Sequence, residues 1–194
     1  MSERVDFLIH SAGQLCIVPP HDGGPQRGAT LGDLGLIANG ALAVRGGRVL
    51  AVGDSAELRR RYEAAETIDA DGRCVLPGFV DPHTHVPWAG DRAGEFERRL
   101  AGATYMEIMN AGGGIMSTVR NTRRASAAEL AADNLPRLAR MLRHGTTSAE
   151  AKTGYGLDTA TELKQLDTIV ALAAAQPVEL TATFLPAHAV PEEF

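Results

Sequence analysis

Alternating hydrophobic and polar positions dominate the first part of the chain and predict a β-rich region. Two apolar runs flank Gly46 and Gly47. Two glycines between such runs predict a tight hairpin, because its favoured turns need positive φ. The predicted elements are strands over residues 5–18, 41–45, 48–52 and 67–70 and a short polar helix over residues 54–63. We therefore expect a small β-sandwich domain over residues 1–74.

After residue 74 the pattern changes to helices that alternate with short apolar runs. Each of the predicted helices opens with a capping box, in which a hydroxyl residue and a later Glu satisfy unpaired amide groups. The helices begin at Thr104, Ser126 and Thr159, and the strand candidates are residues 74–80, 146–151 and 178–185. This alternation indicates an α/β fold with parallel strands and right-handed crossovers. A closed (β/α)8 TIM-like barrel has about eight such strands, so we expect residues 75–194 to form the first part of a barrel that is incomplete in this chain.

The composition is that of a globular protein: of 194 residues, 44% are hydrophobic and 22% are charged. The formal net charge of -5 argues against a nucleic-acid-binding protein with a basic surface. No apolar run approaches the ~18 residues of a membrane span, and the N-terminus lacks the hydrophobic core of a signal peptide. Two cysteines are too few for a disulfide scaffold. Together these features predict a cytoplasmic protein.

The strongest chemical signal is the segment Pro-Gly-Phe-Val-Asp-Pro-His-Thr-His at residues 77–85. His83 and His85 are two positions apart, and in a strand such residues point to the same face. Two convergent imidazoles are half of a site for zinc or iron. The alternative is a pair of surface histidines with no shared role. The preceding β-rich region, the strand broken by Pro and Gly, and Asp81 favour a metal site at the carboxyl edge of a parallel sheet.

Several segments resemble the amidohydrolase superfamily and, within it, the imidazolonepropionase family. The segments that carry the resemblance are residues 69–72, 75–85, 89–92, 95–96, 102–108, 112–115, 143–147, 154–157 and 183–191. The resemblance implies the N-terminal half of an enzyme that hydrolyses the lactam C–N bond of 4-imidazolone-5-propanoate to N-formimidoyl-L-glutamate, in L-histidine degradation. It also implies a distorted β/α barrel beside a small β-sandwich, and one bound zinc or iron ion.

The resemblance assigns His83 and His85 to the metal and Arg92, Tyr155 and His188 to the substrate. An Arg side chain suits the substrate's propionate, because its planar fork binds carboxylates with two hydrogen bonds. Its alternative is a solvated ion pair with Glu95. Tyr155 lies between two glycines, where the backbone can turn sharply and present the phenol; its alternative is a packing role. For His188 the alternative is a hydrogen bond to loop backbone.

Three further features are weaker candidates. Lys152 could be a carbamylated bridge between two metals, but the resemblance is to an enzyme with one metal. Residues 112–114 are three glycines that lack the Lys-Ser/Thr of a phosphate-binding loop, so we interpret them as a loop that approaches the substrate. Tyr105, at the start of a predicted helix, is expected to pack.

The resemblance places the remaining metal ligands and the catalytic acid/base residue outside these 194 residues. We therefore expect the chain alone to be inactive. We expect a small-molecule substrate, no nucleic-acid or membrane partner, and leave a homo-oligomer open. Two alternatives remain at this point: another cyclic amidohydrolase, of a dihydroorotase-like or deaminase-like kind, or a non-catalytic fragment that only associates with itself or with a complementary chain.

Overall fold

The computed structural model describes residues 2–20, 24–191 and 193. The chain divides into two compact units, Met1–Pro77 and Gly78–Phe194. This division falls slightly after residue 74, where the sequence placed the boundary. No helix among the described residues is long and apolar enough to cross a membrane.

Among its described residues, the first unit contains one mixed sheet, one α-helix and a short 3-10 helix at Gly28–Thr30. Its elements are β1 (Glu3–Cys16), β2 (Leu36–Arg45), β3 (Arg48–Asp54), α1 (Ser55–Arg61), β4 (Tyr62–Asp69) and β5 (Cys74–Val75). The strand order is β3-β2-β1-β4, and β5 also pairs with β1. The predicted hairpin is confirmed: β2 and β3 are antiparallel, and Gly46 and Gly47 have φ of 59° and 72°. In contrast, β4 and β5 run parallel to β1.

The predicted β-sandwich is not confirmed, because the described strands of this unit join a single sheet. Helix α1 covers one face, where Leu58 packs with Ala41 and Ala43 of β2. Leu42 lies between those alanines and points to the other face, where an apolar groove of about 320 Å³ lies open. Exposed apolar side chains on this unit include Val49, which is 62% exposed. Both cysteines of the chain are free thiols.

The second unit contains a parallel sheet and five helices among the described residues. Its elements are β6 (Phe79–Thr84), α2 (Ala93–Leu100), α3 (Tyr105–Asn110), α4 (Ile115–Arg124), α5 (Ala127–Arg143), β7 (Thr146–Lys152), α6 (Thr159–Ala175) and β8 (Glu179–Thr183). The strand order is β6-β7-β8, and both pairs are parallel, as predicted. The first strand begins at Phe79 rather than at residue 74, because Cys74 and Val75 pair with β1 in the first unit.

The helix signals were partly correct. Thr104 and Ser126 form complete capping boxes at the starts of α3 and α5. The third predicted capping box is wrong: Asp158, not Thr159, caps α6, and its carboxylate accepts a hydrogen bond from the N–H of Thr161 at 2.8 Å. Helices α2 and α4 were missed, because their N-caps, Arg92 and Gly114, make no side-chain capping bond and so leave no signal in the sequence.

Strand β7 separates apolar from polar side chains by simple alternation. Ala149 and Ala151 are buried, whereas Ser148, Glu150 and Lys152 lie on the other face. On that face Glu150 forms an ion pair with Lys152 and accepts a hydrogen bond from the Thr183 hydroxyl at 2.7 Å. The apolar core of this unit is a cluster of Val86, Leu138 and Leu172. The sheet is therefore anchored by helices α5 and α6, and its other face is polar.

We expect the isolated chain to self-associate. Strands β6 and β8 are the edges of the described parallel sheet, and free strand edges offer unpaired amides and carbonyls to other chains. The open groove of the first unit adds exposed apolar surface. Size-exclusion chromatography with light scattering should therefore detect species that grow with protein concentration.

Two variants test whether the groove contributes to this association. Val49→Lys places a charge in the lining of the groove. It should shift the distribution of oligomeric species toward the monomer. Arg48→Lys changes the neighbouring exposed residue without a change of charge and should have no effect. A monodisperse monomer with a cooperative thermal unfolding transition would contradict the expectation.

Candidate metal and substrate site

The end of β6 and the loops at the carboxyl edge of the parallel sheet bring four of the five predicted site residues into one ring cluster. The ring centroid of His85 lies 4.3 Å from that of His188, and the two rings are stacked at 13°. The Tyr155 ring lies 5.1 Å from His85 and 5.5 Å from His188. His83 lies edge-on to His85 at 5.7 Å. Residues far apart in the sequence therefore meet at one edge, as expected for parallel strands.

Backbone carbonyls orient the two inner imidazoles, those of His85 and His188. The Nδ1 of His85 donates a hydrogen bond to the carbonyl oxygen of Thr153 at 2.9 Å. The Nδ1 of His188 donates in the same way to the carbonyl oxygen of Gly154, also at 2.9 Å. Since a carbonyl only accepts, each ring in its neutral form carries its lone pair on Nε2. Both rings are thus held in the tautomer that a metal or a substrate donor needs.

The neutral form of His85 is also favoured by its surroundings. Burial lowers the pKa of His85, and the neighbouring His188 lowers it further, while the bond to Thr153 opposes these effects. A neutral imidazole is the form that binds a metal ion. His83 is more exposed, and its backbone N–H bonds the Asp81 carboxylate at 3.2 Å.

Among the described residues of this edge, His83 and His85 are the predicted metal ligands, and His188 stacks on His85. Within the described ranges, no group of three or more His, Cys, Asp or Glu residues is placed to hold a metal ion. A catalytic zinc site normally has three protein ligands and an open position. The donor chemistry of His83 and His85 thus fits the nitrogen half of a zinc or iron site and does not complete one.

Beside the ring cluster lies a cavity of about 430 Å³. Its walls include the last residue of β6 and residues of the loop after β6, of α4 and of the loop after β7: Thr84, His85, Trp88, Asp91, Arg92, Thr118 and Tyr155. Burial raises the pKa of the Tyr155 phenol, and the charge of Arg92 partly offsets this. The cavity therefore joins one metal candidate to two substrate candidates.

Arg92 does not form the ion pair with Glu95 that the sequence left as its alternative role. In the part of the chain that the structure describes, it forms no salt bridge with Glu95, whose carboxylate instead accepts the N–H of Gly114 at 2.9 Å. Arg92 immediately precedes α2 and borders two cavities. Arg92 therefore stays a predicted substrate-binding residue rather than a partner of Glu95.

Helix α5 fixes the loop that leads to Arg92. The guanidinium of Arg137 stacks on the Trp88 ring at 4.0 Å and donates to the carbonyl oxygen of Gly90 at 3.1 Å. The buried Asn134 amide donates to the Trp88 carbonyl at 3.0 Å. Sequence reasoning missed both residues, because their partners lie in a distant loop and no local pattern marks them.

Close packing explains the two glycines that flank Tyr155. A Cβ on Gly154, whose φ is +114°, would lie 2.7 Å from the Cβ of His188. A Cβ on Gly156 would lie 2.8 Å from the backbone nitrogen of Glu162. The loop can pass between His188 and helix α6 only without side chains at these two positions.

The weaker candidates lie outside the ring cluster. Lys152 is paired with Glu150 on the polar face of the sheet. The three glycines at 112–114 lead into α4, which contributes Thr118 to the cavity wall. Tyr105 is 57% exposed rather than packed, and it borders a second cavity of about 220 Å³ together with Arg92.

Two family models match this chain. Residues 40–62 match the imidazolonepropionase-like composite domain of bacteria, and residues 66–105 match the amidohydrolase family. A curated imidazolonepropionase of Chloroflexus aggregans is 57% identical over 99% of this chain and 45% of its own length. One of Halobacterium salinarum is 50% identical over 97% of this chain and 44% of its own length.

Two solved structures have a similar fold. An adenosine deaminase from Xanthomonas campestris with bound zinc is 20% identical, with a TM-score of 0.57 over 95% of this chain and 43% of its own. A triazine hydrolase from Arthrobacter aurescens has the same TM-score at 15% identity, over 92% of this chain and 35% of its own. The chain spans a little under half the length of the curated relatives it matches. Their identity over nearly all of its residues places the chain in the imidazolonepropionase family of amidohydrolases.

Proposed function

We propose that this chain supplies the metal-binding histidines and the substrate-binding residues of an imidazolonepropionase. The reaction is hydrolysis of the lactam C–N bond of 4-imidazolone-5-propanoate to N-formimidoyl-L-glutamate, in L-histidine degradation. The observation that carries the proposal is the ring cluster at the sheet edge, in a chain 57% identical to a curated imidazolonepropionase. The same proposal makes the protein a cytoplasmic enzyme with a small-molecule substrate.

The finer fold belongs to the same proposal. The three parallel strands form the first part of a (β/α)8 TIM-like barrel that is completed by residues outside this chain. The open apolar face of the first unit is completed in the same way into a small β-sandwich. Both proposals agree with the share of the curated relatives that the chain spans.

His83 and His85 would hold one zinc or iron ion, together with ligands from outside the chain. Zinc is favoured by the zinc-bound adenosine deaminase of similar fold. A metal ion held there would supply a Lewis acid at the lactam carbonyl and activate the attacking water. The hydrogen bond from His85 to Thr153 keeps the Nε2 lone pair directed away from the backbone and available to the ion.

The substrate would occupy the 430 Å³ cavity, which is within the size range of small-molecule sites. Arg92 binds the propionate through its two-pronged guanidinium. Tyr155 and His188 contact the ring and hold its carbonyl toward the two histidines. Holding the reactants in one orientation is worth several powers of ten in rate.

No described carboxylate is assigned as the acid/base residue. Glu150 is already engaged by Lys152 and Thr183. The ion pair also disfavours a carbamylated Lys152 and, with it, a dihydroorotase-like site with two metals. In this proposal, the proton that the leaving ring nitrogen requires comes from an acid/base residue outside this chain.

The experiment that tests the proposal uses a chimera. In it, this chain replaces the matching 45% of the Chloroflexus aggregans imidazolonepropionase. With zinc or iron, we expect the chimera to hydrolyse 4-imidazolone-5-propanoate and the isolated chain to be inactive, because the chain lacks the remaining metal ligands. Hydrolysis by the isolated chain would contradict the proposed division of the site. A folded but inactive chimera would favour the alternative of a fragment that only associates.

In the chimera, His83→Ala and His85→Ala should each remove bound metal and activity together, because two imidazoles are half of the proposed ligand set. Metal content is measured by elemental analysis and activity by substrate consumption. The matched control is His144→Ala, which removes an exposed histidine just after α5. Full metal content and a normal rate in His83→Ala would contradict the assignment.

Arg92→Lys in the same chimera should lower kcat/KM by about ten- to hundredfold. Hydrogen bonds to charged groups contribute about 1.5–3 kcal/mol, and a lysine cannot reproduce two parallel bonds. The control is Arg98→Lys, an equivalent change on the exposed surface of α2. A kcat/KM that is equal in both variants would mean that Arg92 does not touch the substrate.

A further inference from the structure

A fully buried carboxylate lies beneath the loop that carries Tyr155. Glu162, in the first turn of α6, is 0% exposed. Its Oε1 accepts the backbone N–H groups of Gly156 and Leu157, each at 2.8 Å, and its Oε2 accepts that of Gly154 at 2.9 Å. The sequence assigned this residue to a capping box, but Asp158 caps the helix instead. The Glu162 carboxylate therefore takes no part in helix capping and binds the loop before α6 instead.

The three amides that Glu162 binds belong to the segment that orients the ring cluster. The carbonyl of Thr153 accepts from His85, and the carbonyl of Gly154 accepts from His188. Tyr155 is the next residue. The N–H of Gly154 donates to the Glu162 carboxylate, and the carbonyl of Gly154 accepts from His188. Gly154 therefore connects the buried carboxylate to the His188 imidazole. A shift of this loop would move three site residues together.

A second buried side chain of α6 links this loop to the loop that precedes Arg92. Gln165 is also 0% exposed. Its Oε1 accepts the N–H of Tyr155 at 3.2 Å, and its Nε2 donates to the carbonyl oxygen of Pro87 at 2.9 Å. Both walls of the substrate cavity are thus bonded to one amide group, one helical turn beyond Glu162.

We propose that Glu162 and Gln165 are positioning residues that set the substrate-binding geometry through the two loops they bond. This inference rests on the proposed function, because it concerns how Arg92, Tyr155 and the two inner imidazoles are placed for that reaction. Neither residue touches the cavity: both act on backbone atoms of residues that border it.

The number of donors explains why a carboxylate is needed at residue 162. Three N–H groups converge on two oxygens, and hydrogen bonds to an ionised acceptor are the strong ones. The first turn of a helix also stabilises a negative charge. An amide at this position would direct its NH2 group toward at least one N–H donor. Glu162→Gln therefore keeps size and shape but removes one acceptor and creates a clash between donors.

The decisive experiment compares variants in the chimera, with kcat, KM, bound metal, melting temperature and amide hydrogen exchange measured for each. Glu162→Gln should lower kcat/KM by about ten- to hundredfold, because small displacements of positioned groups have effects of that size. Amide exchange in the loop at residues 153–157 should accelerate more than exchange in helix α6. Bound metal should stay at the parental level.

Two controls on α6 separate positioning from charge and from general stability. Asp167→Asn makes the same change of charge at an exposed residue and should leave kcat/KM within twofold of the parent. Ile169→Val trims a buried side chain on the same helix and should lower the melting temperature without a selective effect on the loop. Assays run at one temperature, well below the lowest melting transition.

Gln165→Leu provides an independent test if Glu162→Gln does not fold. It leaves the Tyr155 amide and the Pro87 carbonyl without their partner, while the volume of the side chain is nearly kept. Because it separates the loops of Arg92 and Tyr155, it should raise KM by about tenfold. Gln165→Glu retains the acceptor for the Tyr155 N–H and loses the donor to the Pro87 carbonyl. Its KM should therefore fall between that of the parental chimera and that of Gln165→Leu.

The positioning role is overturned if Glu162→Gln loses no more activity than Ile169→Val. It is also overturned if amide exchange in Glu162→Gln accelerates equally in residues 153–157 and in α6. An inactive parental chimera would instead reject the proposed function. In that case the exchange data still decide the inference: faster exchange confined to residues 153–157 supports it, and unchanged exchange in this loop rejects it.

Discussion

The orientation of the two inner imidazoles depends on two consecutive backbone carbonyls, those of Thr153 and Gly154. Their position follows from the parallel pairing of β7 and β8. The N–H of Thr153 continues this pairing with a bond to the Thr183 carbonyl at 3.0 Å, and its hydroxyl accepts the N–H of Leu185 at 2.9 Å. The candidate site is therefore a continuation of the hydrogen bonding between β7 and β8.

Buried polar side chains, rather than apolar contacts, determine the path of the site loops. Asn134, Glu162 and Gln165 are each 0% exposed and each bond backbone groups of a loop. A buried polar group is costly unless it is hydrogen-bonded. Any alternative path of the loop would leave such a group unsatisfied, so these residues select one conformation more than they add to stability. The apolar cluster around Leu138 and Leu172 holds the helices that present them.

The sequence was most informative where the signal is local. The double glycine of the hairpin, the capping boxes at Thr104 and Ser126, and the histidine pair all depend on residues within a few positions of one another. It was least informative where the partner is distant. The parallel pairing of β4 with β1, and the bonds from Asn134 to a loop 46 positions earlier, leave no periodic pattern in the sequence. Glu162 even carried a misleading signal, because its spacing from Thr159 fits a capping box that does not form.

The crowding around Gly154 and Gly156 limits how this site can be altered. Substitution at either glycine drives a side chain into His188 or into the start of α6, so neither position is open to directed evolution. The adaptable position of the cavity is Thr118 of α4, whose side chain borders the space and takes no part in the ring cluster. A library aimed at a bulkier ligand should therefore diversify Thr118 and leave both glycines and Trp88 unchanged, because Trp88 stacks on Arg137.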